Sequence, residues 1–457
     1  MNVAQLRRNP VLGAILLEGL LSRLSFGLIT FALPLYARHL GWSYAEIGLL
    51  ISLNTTIALV LKPLAGGLAD RVGLKRAFLA ALGLRSAVSF LLGFAAAPWE
   101  LFAIRSAHGL SMSLRSPSAH ALIAEHGGKK SIASAFAWYQ TAKSVAGSLS
   151  KALAGILLTL TAANFSLVFF TAFALSLLPP LAVWLFVKEK RHSPTSAGNN
   201  AGGQPEGEAR QAQRPSAAAP GRRKLLPYVG LGFLITATAE MLGGLFPVLA
   251  KDYAGLSEAQ IGLIYAGATV VTLIAGPLFG WFSDHISQRL VLMVRSGANT
   301  VSAVVYLLAP SLAGVAAGRL LDDIGKAAYR PAWGSLMAEV ANADKRTRAR
   351  TIGWMSLGDD LGRVLAPVLA GLLWSVWGLG AVLGTRIVIA AVTEIFAVRL
   401  ARGPSRLAAG PGKASAAVEA MQDLSLGHRA ARGPVAMSGS RHARHEAGGS
   451  TAGDALP

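Results

Sequence analysis

GGLADRVGLKR, Gly66 to Arg76, lies between two apolar runs that are each long enough to cross a bilayer. A short polar turn placed there, with Asp70, Arg71, Lys75 and Arg76, has to sit at a membrane surface. Its glycines let two helices turn tightly, and its positive charges hold it on the cytoplasmic side. The stretch returns in weaker form 214 residues later as GWFSDHISQR, where Gly280, Asp284 and Arg289 stand in register with Gly66, Asp70 and Lys75. The sequence describes a doubled membrane protein.

Composition agrees with that reading. Of 457 residues, 53% are hydrophobic and 14% charged, too apolar for a soluble domain that must wet its surface. The formal net charge of +20 lies in short loops and tails, so it argues for membrane orientation rather than a nucleic-acid partner. With no cysteine, disulfides, thiolate metal sites and thiol catalysis are excluded. Arg7 and Arg8 precede an apolar run that continues to Ala37 without a cleavage site, and this reads as a retained first helix.

A spanning helix needs about 20 mostly apolar residues. That ruler places helices near 11–37, 46–69, 77–97, 100–124, 131–158 and 165–187, then near 225–250, 258–282, 290–309, 311–338, 350–376 and 379–400. Pro98-Trp99, Pro310 and Gly378-Leu379-Gly380 are the breakers between neighbours. Lys and Arg crowd one set of turns, while the other set has Arg38 and Lys251, which puts both termini and the middle loop in the cytoplasm. Residues 188–224 and 401–457 are rich in small and polar residues and short of large apolar ones; the first reads as a flexible linker, the second as a disordered tail. The expected units are thus a bundle over 1–187 and a second over 225–400.

The repeat extends beyond the turn. WSYAEIGLL at Trp42–Leu50 matches LSEAQIGLI at Leu256–Ile264, and Pro63, Arg105, Pro117 and Glu125 match Pro277, Arg319, Pro331 and Glu339, all at an offset of 214. Trp138, Ala154 and Gly155 match Trp354, Ala370 and Gly371 at 216. Parallel repeats of this kind are related by an axis along the membrane normal, and their interface is where transporters place a substrate site.

Six plus six helices, a middle linker and this turn resemble the major facilitator superfamily. Its signature G-x-x-x-D-(R/K)-x-G-(R/K)-(R/K) is carried by Gly66, Asp70, Arg71, Gly73 and Lys75, with Arg76 one place beyond and Leu74 departing from the first basic position. The family pattern L-x-x-x-R-x-x-x-G is met by Leu101, Arg105 and Gly109. The resemblance covers about residues 11–400 and implies an all-α fold of two pseudo-symmetric six-helix bundles working by a rocking mechanism. The Gly-Pro ending that drug exporters of the family carry in helix 5 is missing from Gly147, Lys151, Ala154 and Gly155, which weakens drug efflux as a reading; Pro367, Ala370 and Gly371 stand in helix 11 instead.

An ionisable group at bilayer depth costs about 2.5 kcal/mol or more, so a chain that keeps many must pair them or use them. Arg23, Lys143, Glu240, Asp322, Asp323, Asp359, Asp360 and Arg363 fall near the midplane, and Arg105, His108, Met112 and Arg115 share one face of the fourth helix. The resemblance implies that this helix lines the central cavity. Arg105, Arg115, Lys143, Arg319, Lys326 and Arg330 would suit an anionic or zwitterionic solute. Asp322/Asp323, Asp359/Asp360 and Glu240 are candidates for carrying protons, and His108 for relaying them. The competing structural reading pairs Asp322 with Lys326 and Asp359 with Arg363 along one helix. Lys143 and Asp359 occupy corresponding positions 216 apart, as a lock between halves or an asymmetric cage. Glu18 reads as a snorkelling or gating charge near the cytoplasmic end of the first helix.

Gly66, Asp70, Arg71, Gly73, Lys75 and Arg76, with Gly280 and Asp284 in the second half, read as a conformational latch, Asp70 holding a neighbouring helix N-terminus through its dipole. No phosphate loop, metal-ligand cluster or nucleophile elbow appears, so neither an enzyme, a metal nor a cofactor is expected. The expected function is a secondary active transporter of a small polar or anionic solute, proton-coupled, multi-pass and monomeric in a plasma or inner membrane. An exporter of amphipathic compounds is the rival within that class, and a non-transporting receptor or scaffold the rival outside it.

Overall fold

The computed structural model describes residues 10–126, 132–187, 222–285, 288–342 and 348–401, and these are helical with short turns. The helices are α1 (Pro10–His39), α2 (Tyr44–Val72), α3 (Leu74–Leu92), α4 (Pro98–His126), α5 (Ile132–Leu160), α6 (Phe165–Ser176) and α7 (Leu178–Phe186). The second half has α8 (Arg222–Gly243), α9 (Phe246–Val248), a π-helical turn (Leu249–Tyr253), α10 (Glu258–His285), α11 (Gln288–Leu308), α12 (Leu312–Asn342) and α13 (Arg348–Ala401). Breaks and fusions reconcile these with twelve rods. The sixth is α6 and α7 joined at Leu177, the seventh is α8, α9 and the π turn, and α13 holds the eleventh and twelfth, which turn at Gly378 through φ 80°. The tail lies outside the described residues, as does the linker up to 221; Arg222, Arg223 and Lys224 already belong to α8.

Local chemistry starts the rods and repeats with them. The Ser43 hydroxyl accepts from the Glu46 N–H at 3.3 Å while Glu46 accepts from the Ser43 N–H at 2.8 Å, a capping box that begins α2. At the same offset of 214, Ser257 and Gln260 make the same reciprocal pair at the start of α10, at 3.3 and 2.9 Å. Gly73 separates α2 from α3 with φ 100°, a conformation that a side chain would strain.

By length and composition, six helical segments among the described residues are apolar enough to span, the last of them Thr351–Ala397, long enough for two rods. Rods such as α4 and α12 fall short of that measure because they carry charged and polar groups, Arg105, His108 and Arg115 in one and Arg319, Asp322, Asp323 and Lys326 in the other.

Packing is the same in both halves. The first rod lies on the fifth and the second on the fourth; correspondingly α8 lies on the first part of α13 and α10 on α12. Between halves, α2 meets α13 and α5 meets α10. Those two contacts are backbone against backbone. A Cβ added at Gly48 would overlap the Pro367 carbonyl oxygen, one at Gly371 the Tyr44 carbonyl, one at Gly155 the Glu258 carbonyl, and one at Gly262 would come within 2.9 Å of the Ala152 carbonyl. Gly48 and Gly262 are repeat equivalents, and so are Gly155 and Gly371.

Polar contacts follow the same symmetry. The Ala45 N–H donates to Ser375 Oγ and the Ala259 N–H to Thr159 Oγ1, both at 2.9 Å. At the end of the seam Arg38 pairs with its own equivalent position, Asp252, at 2.6 Å, and Tyr44 Oη donates to the same carboxylate at 3.1 Å. Lys251 pairs with Glu258.

The apolar core tells which end is closed. One continuous cluster joins Phe31, Trp42, Ile47 and Leu158 of the first half to Phe246, Leu249, Ile261 and Trp374 of the second, next to the Arg38 face. Toward the other end each half has its own core, around Ile15, Phe78, Leu122 and Tyr139 in one and Tyr228, Leu231, Trp333 and Met355 in the other. The halves share one apolar core at one end and have separate cores toward the other.

A branched side chain at a seam glycine should part that end. A cysteine placed at Ala370, which is fully buried, is expected to react with an impermeant maleimide several-fold faster when Gly155→Val is added, in a chain that has no cysteine of its own. Equal rates would show that the seam does not depend on this contact.

Candidate functional site

In the second half one buried network is built around Arg386 and Asp322. Arg386, fully buried in the last rod, pairs with Asp322 on α12, and it donates to the Thr238 carbonyl at 2.8 Å, to Ser302 Oγ at 3.0 Å and to Asn299 Oδ1 at 3.0 Å. Asn299 donates in turn to Thr238 Oγ1 at 3.0 Å, and Arg295 to the Asp322 carbonyl at 3.4 Å. One guanidinium ties its own rod to three others. The expected partner of Asp322, Lys326, stands 3.9 Å away, too far to hydrogen-bond, because it turns to Asp323 at 3.1 Å. Arg319 lies 3.3 Å from the other oxygen of Asp323, an ion-pair distance without hydrogen-bond alignment.

The expected pair of Asp359 with Arg363 is not made. Arg363 is half exposed and reaches Asp360 instead, at 3.0 Å, three residues away. Asp360 also lies 4.0 Å from Lys62 of the first half. Asp359 projects to the other side, where it accepts from Thr236 Oγ1 at 3.1 Å, Tyr329 Oη at 3.3 Å and Trp333 Nε1 at 3.1 Å. No cation among the described residues forms an ion pair with it. The same holds for Glu240, which is partly exposed on α8.

The first half is built differently. Glu18 is fully buried rather than snorkelling at a helix end, because Arg115 Nε donates to it at 2.8 Å, Arg115 Nη2 lies 2.7 Å from the same oxygen and Tyr139 Oη donates at 3.4 Å. Lys143 stands 4.8 Å over the Tyr139 ring. Arg105 spends its guanidinium on α2, donating to the Leu50 carbonyl at 3.2 Å and Asn54 Oδ1 at 2.5 Å, while an added Cβ at Gly109 would come within 2.6 Å of the Asn54 carbonyl. The Leu101, Arg105 and Gly109 pattern thus docks α4 on α2. His108, also buried, packs edge-on against Phe26 at 4.7 Å. Arg23 and Arg85 lie over the same Phe26 ring, at 5.5 and 4.7 Å.

Within the first six rods, then, Glu18 is the buried acid, against Arg85, Arg105, Arg115, Lys143 and Lys151 among the described residues. Arg85, Lys151, Arg295 and Arg386 were not singled out by the sequence. The available signal was an isolated cation within an apolar run, as in GTRIVIAA around Arg386. At the proposed latch, Lys75 Nζ donates to the Trp184 carbonyl at 3.2 Å, and Arg71 and Arg76 are exposed. The side chains of Asp70, Asp284 and Arg330, and Gly280, lie outside the described part of the structure.

Comparison with known proteins bears on what this arrangement serves. The sequence profile of the Major Facilitator Superfamily matches residues 15–228 and again 228–440. Multidrug resistance protein MdtG of Erwinia billingiae is 25% identical over 377 residues, 79% of this chain and 86% of that protein. Among solved structures, a bacterial homologue of the human lysosomal transporter Spinster, inward-facing and occupied, superposes with a TM-score of 0.68 at 16% identity, covering 86% of this chain and 96% of its own. The nucleoside transporter NupG gives 0.66 at 13% identity, over 85% and 98%.

Removing one member of a buried ion pair leaves the other unpaired at a cost of about 3–5 kcal/mol, against about 0–1 kcal/mol for an exposed pair. Arg386→Met is therefore expected to lower the thermal unfolding midpoint of the purified protein far more than Arg363→Met, and adding Asp322→Asn to Arg386→Met should recover part of the loss. Equal shifts for the two single variants would contradict the network.

Proposed function

Since the chain belongs to the Major Facilitator Superfamily and is a multi-pass membrane transporter of a small-molecule solute, we propose that its solute is small and polar or anionic and that protons drive it through Asp359. The observation that carries the coupling is the surroundings of Asp359. Asp322, Asp323 and Asp360 each have a cation at ion-pair distance, so taking up a proton would break that attraction. The side chains that donate to Asp359 are all neutral. The hydroxyls of Thr236 and Tyr329 can rotate from donating to accepting when the carboxylate gains a proton, whereas the Trp333 indole can only donate. Protonation therefore changes how the seventh, tenth and eleventh rods are held together, with no buried ion pair lost.

The excess of cations in the first half supports an anionic solute, since among the described residues Glu18 is the buried acid there and Arg115 already takes it. The positive-inside rule places both termini in the cytoplasm of a plasma or inner membrane, which makes the Arg38 face external and this conformation open inward. The Gly66–Arg76 turn then acts as the cytoplasmic latch, with Asp70 as its acid, and one chain suffices because each contains both halves.

A second reading has its own support. The relative MdtG is named for multidrug resistance, and Tyr329 and Trp333 stack at 5.9 Å and 20° beside Asp359, an acid and ring pair whose chemistry suits an amphipathic cation.

Reconstitution into liposomes with an imposed pH gradient separates these. Small organic anions are expected to move with protons through the wild type. Asp359→Asn should abolish accumulation while keeping exchange down a gradient, and Asp360→Asn should keep both. Undiminished accumulation by Asp359→Asn would contradict the coupling role, and movement of amphipathic cations alone would favour the exporter.

A further inference from the structure

Lys151 lies on α5 at the seam, where its carbonyl would stand 3.2 Å from a Cβ added at Gly262 of the other half. No carboxylate among the described residues pairs with it. Its ammonium rests instead on Tyr265 of α10, 4.1 Å from the ring centroid. The same ring carries Arg319 of α12 at 4.6 Å, and Arg319 also lies over Phe246 at 4.8 Å. Two cations from opposite halves thus share one phenol.

That arrangement leaves donors unused. Arg319 Nη1 is buried with no hydrogen-bond partner. Of the two acids nearby, Asp322 is held by Arg386, and Asp323 is divided between Arg319 and Lys326. Arg319 and Lys326 therefore share Asp323, and Lys151 forms no ion pair with either acid. A ring face attracts a cation by about 0.5–2 kcal/mol, which is less than a charge-assisted hydrogen bond to an oxyanion supplies in a dry site.

We propose that Lys151 and Arg319 form an oxyanion-binding pair at the seam, taking a carboxylate or phosphate group of the solute, with the Tyr265 ring as the place where Lys151 rests when the pair is empty. This rests on the reading of the solute as an anion. It also links binding to conformation. Lys151 belongs to the first half and Arg319 to the second, so both reach one anion only while the seam is closed. An anion there favours the closed seam by its difference in affinity between the two states.

The test uses the full chain purified in detergent, with succinate, benzoate and inorganic phosphate as probes and the thermal unfolding midpoint as readout at rising anion concentration. At least one anion should stabilise the wild type; whether phosphate or a carboxylate does so identifies the group. Lys151→Met is expected to weaken that response by about 30-fold or more, and Lys151→Arg, which keeps the charge, to retain it within a few-fold. Lys151→Gln repeats the test should the Met variant fold poorly. The anion should also slow maleimide labelling of a cysteine at Ala370 in the wild-type background and not in Lys151→Met. Unchanged anion affinity in both neutral variants would overturn the Lys151 assignment while leaving the anionic reading standing. A wild type that no anion stabilises would overturn both.

Discussion

Backbone contact at four glycines is the constraint on which the rest of the structure depends. Gly48 against the eleventh rod and Gly155 against the eighth bring helix axes close enough that any side chain there would meet a carbonyl oxygen. The capping boxes at Ser43 and Ser257 fix where α2 and α10 start, and so which residues reach the seam. The Ala45–Ser375 and Ala259–Thr159 hydrogen bonds, the Arg38–Asp252 pair and the continuous apolar core all lie at the end those glycines draw together. None of these contacts is covalent or deeply interlocked. A fused end made of small residues and a few polar contacts can be traded for an equivalent one at the opposite end, which is what alternating access requires.

The two halves use buried charge differently. In the second, a guanidinium satisfied by three neighbouring rods makes a rigid unit, since losing any member would leave the others unpaired in a dry interior. In the first, cations rest on aromatic rings and carbonyls, as Arg85 and Arg23 do on Phe26 and Lys143 on Tyr139. A cation held on a ring face gains less there than from an oxyanion. Asp359 is the complementary case, a carboxylate with neutral donors that can change charge without dismantling an ion pair.

Much of the architecture was legible because it repeats. The 214 and 216 offsets that matched Gly48 with Gly262 and Gly155 with Gly371 proved to be the register of the seam itself, although nothing in one chain says that a glycine faces another rod. The signature around Gly66 and the twelve apolar or charged runs gave the rods. Pairings were less legible. Spacing along one helix suggested Asp322 with Lys326 and Asp359 with Arg363, but each acid turned toward distant rods, Asp322 to Arg386 and Asp359 to Trp333, where donors were better placed. Four-residue spacing reports what a lone helix can do; burial against other rods decides what it does. Arg386 escaped notice for the same reason, having no acid near it in sequence.

Coupling through Asp359 requires that the seam part and re-form as this carboxylate gains and loses a proton. The direct measurement is the distance between spin labels at Leu40 and Ala254, repeat equivalents at the ends of the first and seventh rods, taken across a range of pH in lipid nanodiscs. Two populations are predicted, the longer with the seam parted, with relative weights that change with pH in the wild type and not in Asp359→Asn. A single short distance at every pH would contradict the account.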